Sequence, residues 1–208
     1  MESWDNMSHH VALLAINPES GRVRRRTDLA LATAGGALAE LALQERVSLI
    51  DKRVQVHDPR PTEDPLLDIM LRVLAEKPGQ RPTRVLNAAR KVYLNQALSE
   101  LVTNGWVTMT PSAGPLGPRY QVVDTERLER ARQAASAALR DPDGVPARVA
   151  CLGGLAAQLE LAKELAPELT WRQRVVARSR LQKRDWVVKA MHDVIAARQA
   201  AVIAATSS

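Results

Sequence analysis

Two stretches of this chain place adjacent glycines inside Ala/Leu-rich sequence: AGGALAELAL at Ala34–Leu43 and LGGLAAQLEL at Leu152–Leu161. Glycine in a helix interior costs up to ~1 kcal/mol against alanine, so a pair of them needs a use. Close approach of two helix backbones is such a use, because no Cβ holds the axes apart. A phosphate-cradling glycine loop would need a following Lys-Ser/Thr or a strand before the turn, and neither is present. Both pairs are therefore read as packing positions. Composition agrees, since Phe is absent and aromatics make up only 3% of the 208 residues. A core must then be filled by Leu, Val, Ile and much Ala, which suits closely packed helices better than strands.

Turn signals divide the rest of the chain. Val11–Ile16 is a short apolar run stopped by Asn17-Pro18 and Ser20-Gly21. Arg22, Arg24, Arg25 and Arg26 follow, and Thr27-Asp28 caps an expected helix to about Glu45. Val47–Ile50 and Val54–His57 are expected to pair as a β-hairpin around Asp51-Lys52-Arg53. After a proline-bearing loop, a helix from about Asp64 places Leu67, Met70, Leu71 and Leu74 on one stripe. Pro82-Thr83 opens a long helix to about Asn104, with Arg84, Lys91 and Asn95 on one face and Leu86, Ala89, Tyr93, Ala97 and Leu101 on another. Arg90 falls toward the apolar side and is expected to have a carboxylate partner, because a lone buried charge is costly.

Trp106–Thr110 and Tyr120–Val123 are expected to form a second hairpin around a Pro111–Pro118 tip. Further helices are expected over about Thr125–Leu139, Pro146–Leu165 and Asp185–Ala205. Arg172–Arg184 carries six basic residues and no acid. Those residues are spread around the helical wheel, so the segment is read as a solvated basic linker rather than an amphipathic membrane helix. The expected fold is mainly α, a single-domain helical bundle with two small β-hairpins over 11–205, after an N-terminal tail over 1–10.

The formal net charge of +6 and pI of about 10.0 favour an anionic partner. Cys151 is the single cysteine, which excludes an intrachain disulfide and fits a reducing cytoplasm. Met1–His10 lacks the basic and apolar regions of a signal peptide, and nowhere do ~18 apolar residues run together. Any membrane contact is then expected to be peripheral. Heavy use of Ala, and of Arg over Lys, points to GC-rich coding DNA and a bacterial source.

No catalytic constellation emerges. His9, His10, His57, His192 and Cys151 show no metal-ligand spacing. His9-His10 is read as part of a solvated terminus, and Cys151 as a small buried side chain opening an apolar helix. Asp64 and Asp68 suit a solvated helix start, which favours negative charge. No metal or cofactor is expected, and the chain is read as a binding protein rather than an enzyme.

Several segments, in order, resemble the Golgi phosphoprotein 3 family: VALLAINPESGRV at Val11–Val23, AGGALAELALQERVSLIDKRVQV at Ala34–Val56, DPLLDIMLRVLAE at Asp64–Glu76, LSELVTNGWVT at Leu98–Thr108, then ARVACLGGLAAQLEL and RDWVVKAMHDVIAARQAAVIAA. The resemblance spans roughly Ser8 to Ala205. It implies a mostly helical fold that lies on membranes. In the eukaryotic members it also implies binding of phosphatidylinositol 4-phosphate and of the cytoplasmic tails of glycosyltransferases. That family's lipid pocket uses an aromatic residue upstream of the Gly-Gly helix, an Arg just before the glycines, and two Arg on the long helix.

Aligned without gaps, those positions are Arg25, Ala34, Lys91 and Leu94, of which Lys91 alone keeps the pocket's charge. Arg24, Arg25, Arg26 and Arg84 supply basic side chains from neighbouring positions, so the expected head-group residues are Arg24, Arg25, Arg26, Arg84 and Lys91. The family's hairpin carries bulky apolar residues, where the Pro111–Pro118 tip has only Leu116.

The expected function is that of a phosphoinositide- or anionic-lipid-binding peripheral adaptor on the cytoplasmic face of a membrane. A protein client and a homo-oligomer are both compatible with it. The alternatives are a winged-helix-like nucleic-acid-binding domain and a purely protein-scaffolding domain. The helix ending at Asn104-Gly105 before a strand, turn and strand has the winged-helix outline. Its exposed face offers only Arg84, Lys91 and Asn95 to a groove, which ranks nucleic acid below lipid.

Overall fold

A computed structural model of the chain describes residues 6–112 and 117–206. In chain order it contains α1 (Met7–Leu14), α2 (Arg26–Leu43), β1 (Val47–Ile50), β2 (Arg53–Val56), α3 (Pro65–Glu76), α4 (Pro82–Thr103), β3 (Val107–Thr110), β4 (Arg119–Val122), α5 (Thr125–Arg140), α6 (Ala147–Gln158), α7 (Ala162–Leu165), α8 (Trp171–Arg184) and α9 (Trp186–Thr206). The fold is mainly α, as the periodicity predicts, and each pair of strands forms its own antiparallel two-stranded sheet. Asp51 and Lys52 both take positive φ, the type of turn that lets β1 and β2 keep their right-handed twist.

Local chemistry sets the helix starts. The Asp64 carboxylate accepts from the N–H groups of Leu66 (2.8 Å) and Leu67 (3.2 Å), with Pro65 at the first helical position of α3. Thr170 and Gln173 form a reciprocal capping box that opens α8. Asp185 accepts from Val187 and Val188 at the start of α9. The long helix expected over Pro146–Leu165 is divided into α6 and α7, with Glu160 in the left-handed region at the break.

Helices α2 and α6 are apolar on nearly every side, so each must be covered on nearly every side. Leu29, Leu31, Ala32, Ala34, Ala37, Leu38 and Leu41 of α2 are buried, as is the run from Ala150 to Gln158 on α6. Against α2 pack α1, α3, α4, α6 and α9, and against α6 pack α1, α5, α8 and α9. The glycine pairs lie where the coverage is tightest. A Cβ at Gly36 would sit 2.7 Å from the backbone nitrogen of Ser8, and one at Gly153 2.4 Å from the Ala138 Cβ. At Gly154 it would meet Val188 side-chain carbons at 2.7 and 2.9 Å, whereas at Gly35 the nearest atom is the end of the Leu155 side chain at 3.2 Å.

Three expectations change. Met7–His10, read as part of a tail, are helical and buried, because α1 packs on α2, α4, α5 and α6. Arg172–Arg184 is a regular capped helix rather than a linker, since a small stripe of Ala177 and Leu181 suffices to seat it on α6 and α9. Arg90 is half-buried and pairs with no carboxylate among the described residues; partial exposure of so long a side chain is compatible with a solvated charge. Leu116 lies outside the described residues.

Burial of His10 has a consequence for acid stability. Its pKa is lowered from 6.5 to about 4, first by desolvation and then by repulsion from His9, Arg148 and Arg130. Between pH 6.5 and about 4 the unfolded chain therefore binds a proton that the folded chain refuses, so stability falls as the pH drops through that window. Denaturant unfolding at pH 7.5 and pH 5 should differ by about 2 kcal/mol from this residue. His10→Leu is expected to remove that difference; an unchanged pH dependence would assign it elsewhere.

The glycine geometry predicts an ordering of substitutions. Gly36→Ala and Gly153→Ala meet backbone or a short side chain that cannot yield, and overpacking of this kind costs about 1–3 kcal/mol. In a domain of this size that is a fall in Tm of about 2–10 °C. Gly35→Ala meets a flexible leucine end and a Val187 methyl at ordinary contact distance (3.4 Å), and gains helix propensity, so its Tm should stay near wild type. A thermal melt series in which Gly35→Ala is as damaging as Gly36→Ala would contradict this packing.

Candidate functional site

The expected head-group residues come from two places, the entry to α2 and the outer side of α4. The entry is held in position by its neighbours. Ile16 and Val23 pair across the loop before α2, and the Tyr120 N–H donates to the Gly21 carbonyl at 2.7 Å. A Cβ at Gly21 would lie 2.9 Å from the Tyr120 carbonyl oxygen, and its φ is +67°, so glycine is needed here on both counts. The basic segment Arg24–Arg26 is thereby fixed beside the β3–β4 hairpin.

Within that segment the three arginines have different surroundings. Arg24 pairs with Glu164 of α7. Arg25 pairs with the buried Asp28 at 2.8 Å and also with Glu160. Its backbone is left-handed (φ +44°), a conformation that costs a non-glycine residue about 1–2 kcal/mol and is held here by those two carboxylates. Asp28 takes a second cation, Arg198 from α9. Arg26 alone of the three meets no acid among the described residues; its guanidinium donates to the Asn95 side chain on α4 at 3.0 Å.

That contact joins the two halves of the site. Lys91 lies one helical turn before Asn95 and is exposed, so it shares the face of α4 that Arg26 reaches. Arg84 is also exposed and makes one long contact, 3.4 Å, to Gln80. Seven residues separate it from Lys91, about 10 Å along the helix axis. The structure thus brings Arg26 and Lys91 to one face of α4, leaves Arg84 as an outlying charge, and turns Arg24 and Arg25 toward carboxylates.

A second concave feature lies on a different side of α4. His9 Nε2 meets Glu100 Oε2 at 2.9 Å, and the His9 ring packs edge-on against Trp106 with centroids 5.3 Å apart. The Arg127 guanidinium lies 3.8 Å over the Trp106 ring. Burial raises the Glu100 pKa, but the hydrogen bonds from His9 and Gln96 outweigh it and hold the carboxyl below its ordinary range. His9, Glu100 and Trp106, with Glu63, Asp64 and Gln96, line an open groove of about 780 Å³. The sequence offered no sign of it, since His9 and Glu100 are 91 residues apart. The Cys151 thiol is fully buried and its pKa is pushed well up, first by burial and then by Asp185, which makes it a poor nucleophile.

Among the described residues no helix is long and apolar enough to cross a membrane, and no cluster of His, Cys, Asp and Glu is placed to hold a metal ion. No curated protein matches the chain. The Golgi phosphoprotein 3 family model matches residues 7–198. Those limits coincide with the first residue of α1 and with Arg198, which ties α9 to Asp28. With a match over nearly its whole length, the chain belongs to the Golgi phosphoprotein 3 family.

Proposed function

We propose that this protein is a peripheral membrane adaptor that holds an anionic lipid head group on the rim formed by Arg26 and Lys91, with Arg84 adding long-range attraction. Family membership supports the adaptor reading, and the Arg26–Asn95 contact supports the place, because it sets two cations without acid partners at one joint between helices. A phosphate monoester is held best by several converging Arg or Lys donors. Here two converge and the next stands about 10 Å away. Arg24 and Arg25 remain part of the basic rim, but their carboxylate partners take up much of their charge. Such a rim attracts any anionic surface and distinguishes head groups poorly, so phosphatidylinositol 4-phosphate is expected to be preferred only slightly over bulk anionic lipid of equal charge.

Cosedimentation with vesicles of matched charge, carrying either phosphatidylinositol 4-phosphate or phosphatidylserine, tests this reading. Each basic side chain near an anionic surface contributes ~1 kcal/mol, so Arg26→Ala with Lys91→Ala should weaken binding about thirtyfold at low salt while circular dichroism stays unchanged. Arg25→Ala is the informative contrast. It strips the buried Asp28 of one of its two cations and should lower Tm rather than act on binding alone. Wild-type binding by the Arg26/Lys91 double variant would remove the rim as the lipid site.

A further inference from the structure

The protein's excess charge sits on one helix. Helix α8 carries Arg172, Arg174, Arg178, Arg180, Lys183 and Arg184 and no acidic residue. The chain has 29 Lys and Arg against 23 Asp and Glu, so removing those six leaves 23 of each sign on everything else. The entire formal charge of +6 is therefore the charge of this 14-residue segment. Like charges one turn apart, such as Arg174 with Arg178 and Arg180 with Arg184, weaken a helix, so holding them together has a cost that folding alone does not explain.

Part of the set has a structural use. Arg174 and Arg184 donate to backbone carbonyls, of Leu169 and of Pro142 and Val145, and Arg178 donates to Gln158 Oε1 at 2.7 Å. None of these partners is an acid. Arg180 has a single exposed pair with Asp143 at 3.3 Å, and Arg172 and Lys183 have no partner among the described residues.

The outward side of α8 is also unusually apolar. Successive residues one turn apart give two exposed rows, Trp171-Val175-Ser179-Lys183 and Arg172-Val176-Arg180-Arg184. In them Trp171 is 70% exposed, Val176 51% and Val175 48%. Water gains nothing from an indole and two valines, and a duplex nucleic acid has little apolar surface to cover the valines. A bilayer interface accommodates all of these groups, with tryptophan at the head-group level, valines just below it, and arginine stems reaching up to phosphates.

We infer that α8 is a second membrane-contacting surface, docking flat on an anionic bilayer with Trp171, Val175 and Val176 inserted and Arg172, Arg180 and Lys183 at the phosphates. The inference rests on the adaptor reading for its bilayer partner but not on the rim. The two surfaces are mechanically linked through the end of α6, where Gln158 takes Arg178 and Glu160 takes Arg25.

The test uses the full chain and vesicles of phosphatidylcholine with about one phosphatidylserine in four. Arg172→Gln with Lys183→Gln breaks no side-chain bond among the described residues, so the melt should be unchanged while vesicle binding falls about tenfold or more. Brominated phosphatidylcholine should quench tryptophan fluorescence in the wild type, with the larger part of that quenching lost in Trp171→Phe. If the α8 variant binds as wild type while the Arg26/Lys91 variant fails, α8 is no membrane surface and the rim stands. Loss in the α8 variant alone supports α8 and removes the rim. Equal quenching in Trp171→Phe, a dimer dissolved by Trp171→Ser, or duplex DNA binding as tightly as vesicles do would each overturn the lipid assignment.

Discussion

Backbone approach at the two glycine pairs is the constraint on which the rest of the structure depends. A core with no Phe cannot bridge wide gaps between helices, and protein interiors tolerate few voids. The axes must therefore come close, and Gly36, Gly153 and Gly154 permit this at three contacts: α2 with α1, α6 with α5, and α6 with α9. These contacts fix α2 and α6 as the covered centre. Every surface feature, including the rim at the α2–α4 joint and the outward rows of α8, is placed relative to that pair. The helix propensity lost at each glycine is offset by the dispersion contacts that close approach gives to the leucines and alanines around it.

A second layer of order comes from arginine. Glu40 and Asp28 on α2 are buried, and a buried carboxylate must be paired. Arg148 reaches Glu40 from α6 with both terminal nitrogens, while Arg25 and Arg198 reach Asp28 from the helix entry and from α9. These pairs tie α2 to α6 and α9 in specific registers. They also mean that much of the basic composition is neutralised inside the fold, so a cluster of arginines in the sequence is a poor guide to free positive charge. Arg24 and Arg25 illustrate this, since both meet carboxylates from the segment around α7, about 135 residues further on.

The helices and both hairpins were legible because their signals are local. Asp64-Pro65 marks a helix start, Asn104-Gly105 a helix end, and alternation marks the short strands. The burial of His9 and His10 was not legible. Two histidines near a terminus carry no local sign that later helices will close over them, and His9 finds Glu100 and Trp106 only in the folded chain. Helix α8 was misjudged for a related reason. Wheel analysis looks for a wide apolar stripe, whereas this helix is seated by Ala177 and Leu181 and by arginines that bond to carbonyls on neighbouring loops. Of the proposed rim residues, Lys91 was legible from the family resemblance, but the Asn95 contact that brings Arg26 to the same helix was not.

The sequence by itself determined the helical class, the small-residue core, the turn positions and a 14-residue segment whose charge equals the net charge of the chain. These follow from propensity, periodicity and composition, which act over a few residues at a time. Tertiary structure alone decided which arginines remain available to a partner. It placed Arg24, Arg25, Arg148 and Arg198 against carboxylates and left Arg26, Lys91, Arg172 and Lys183 without acid partners among the described residues. Pairing depends on distances across the fold between residues up to 170 apart in the chain, and no local pattern encodes those distances.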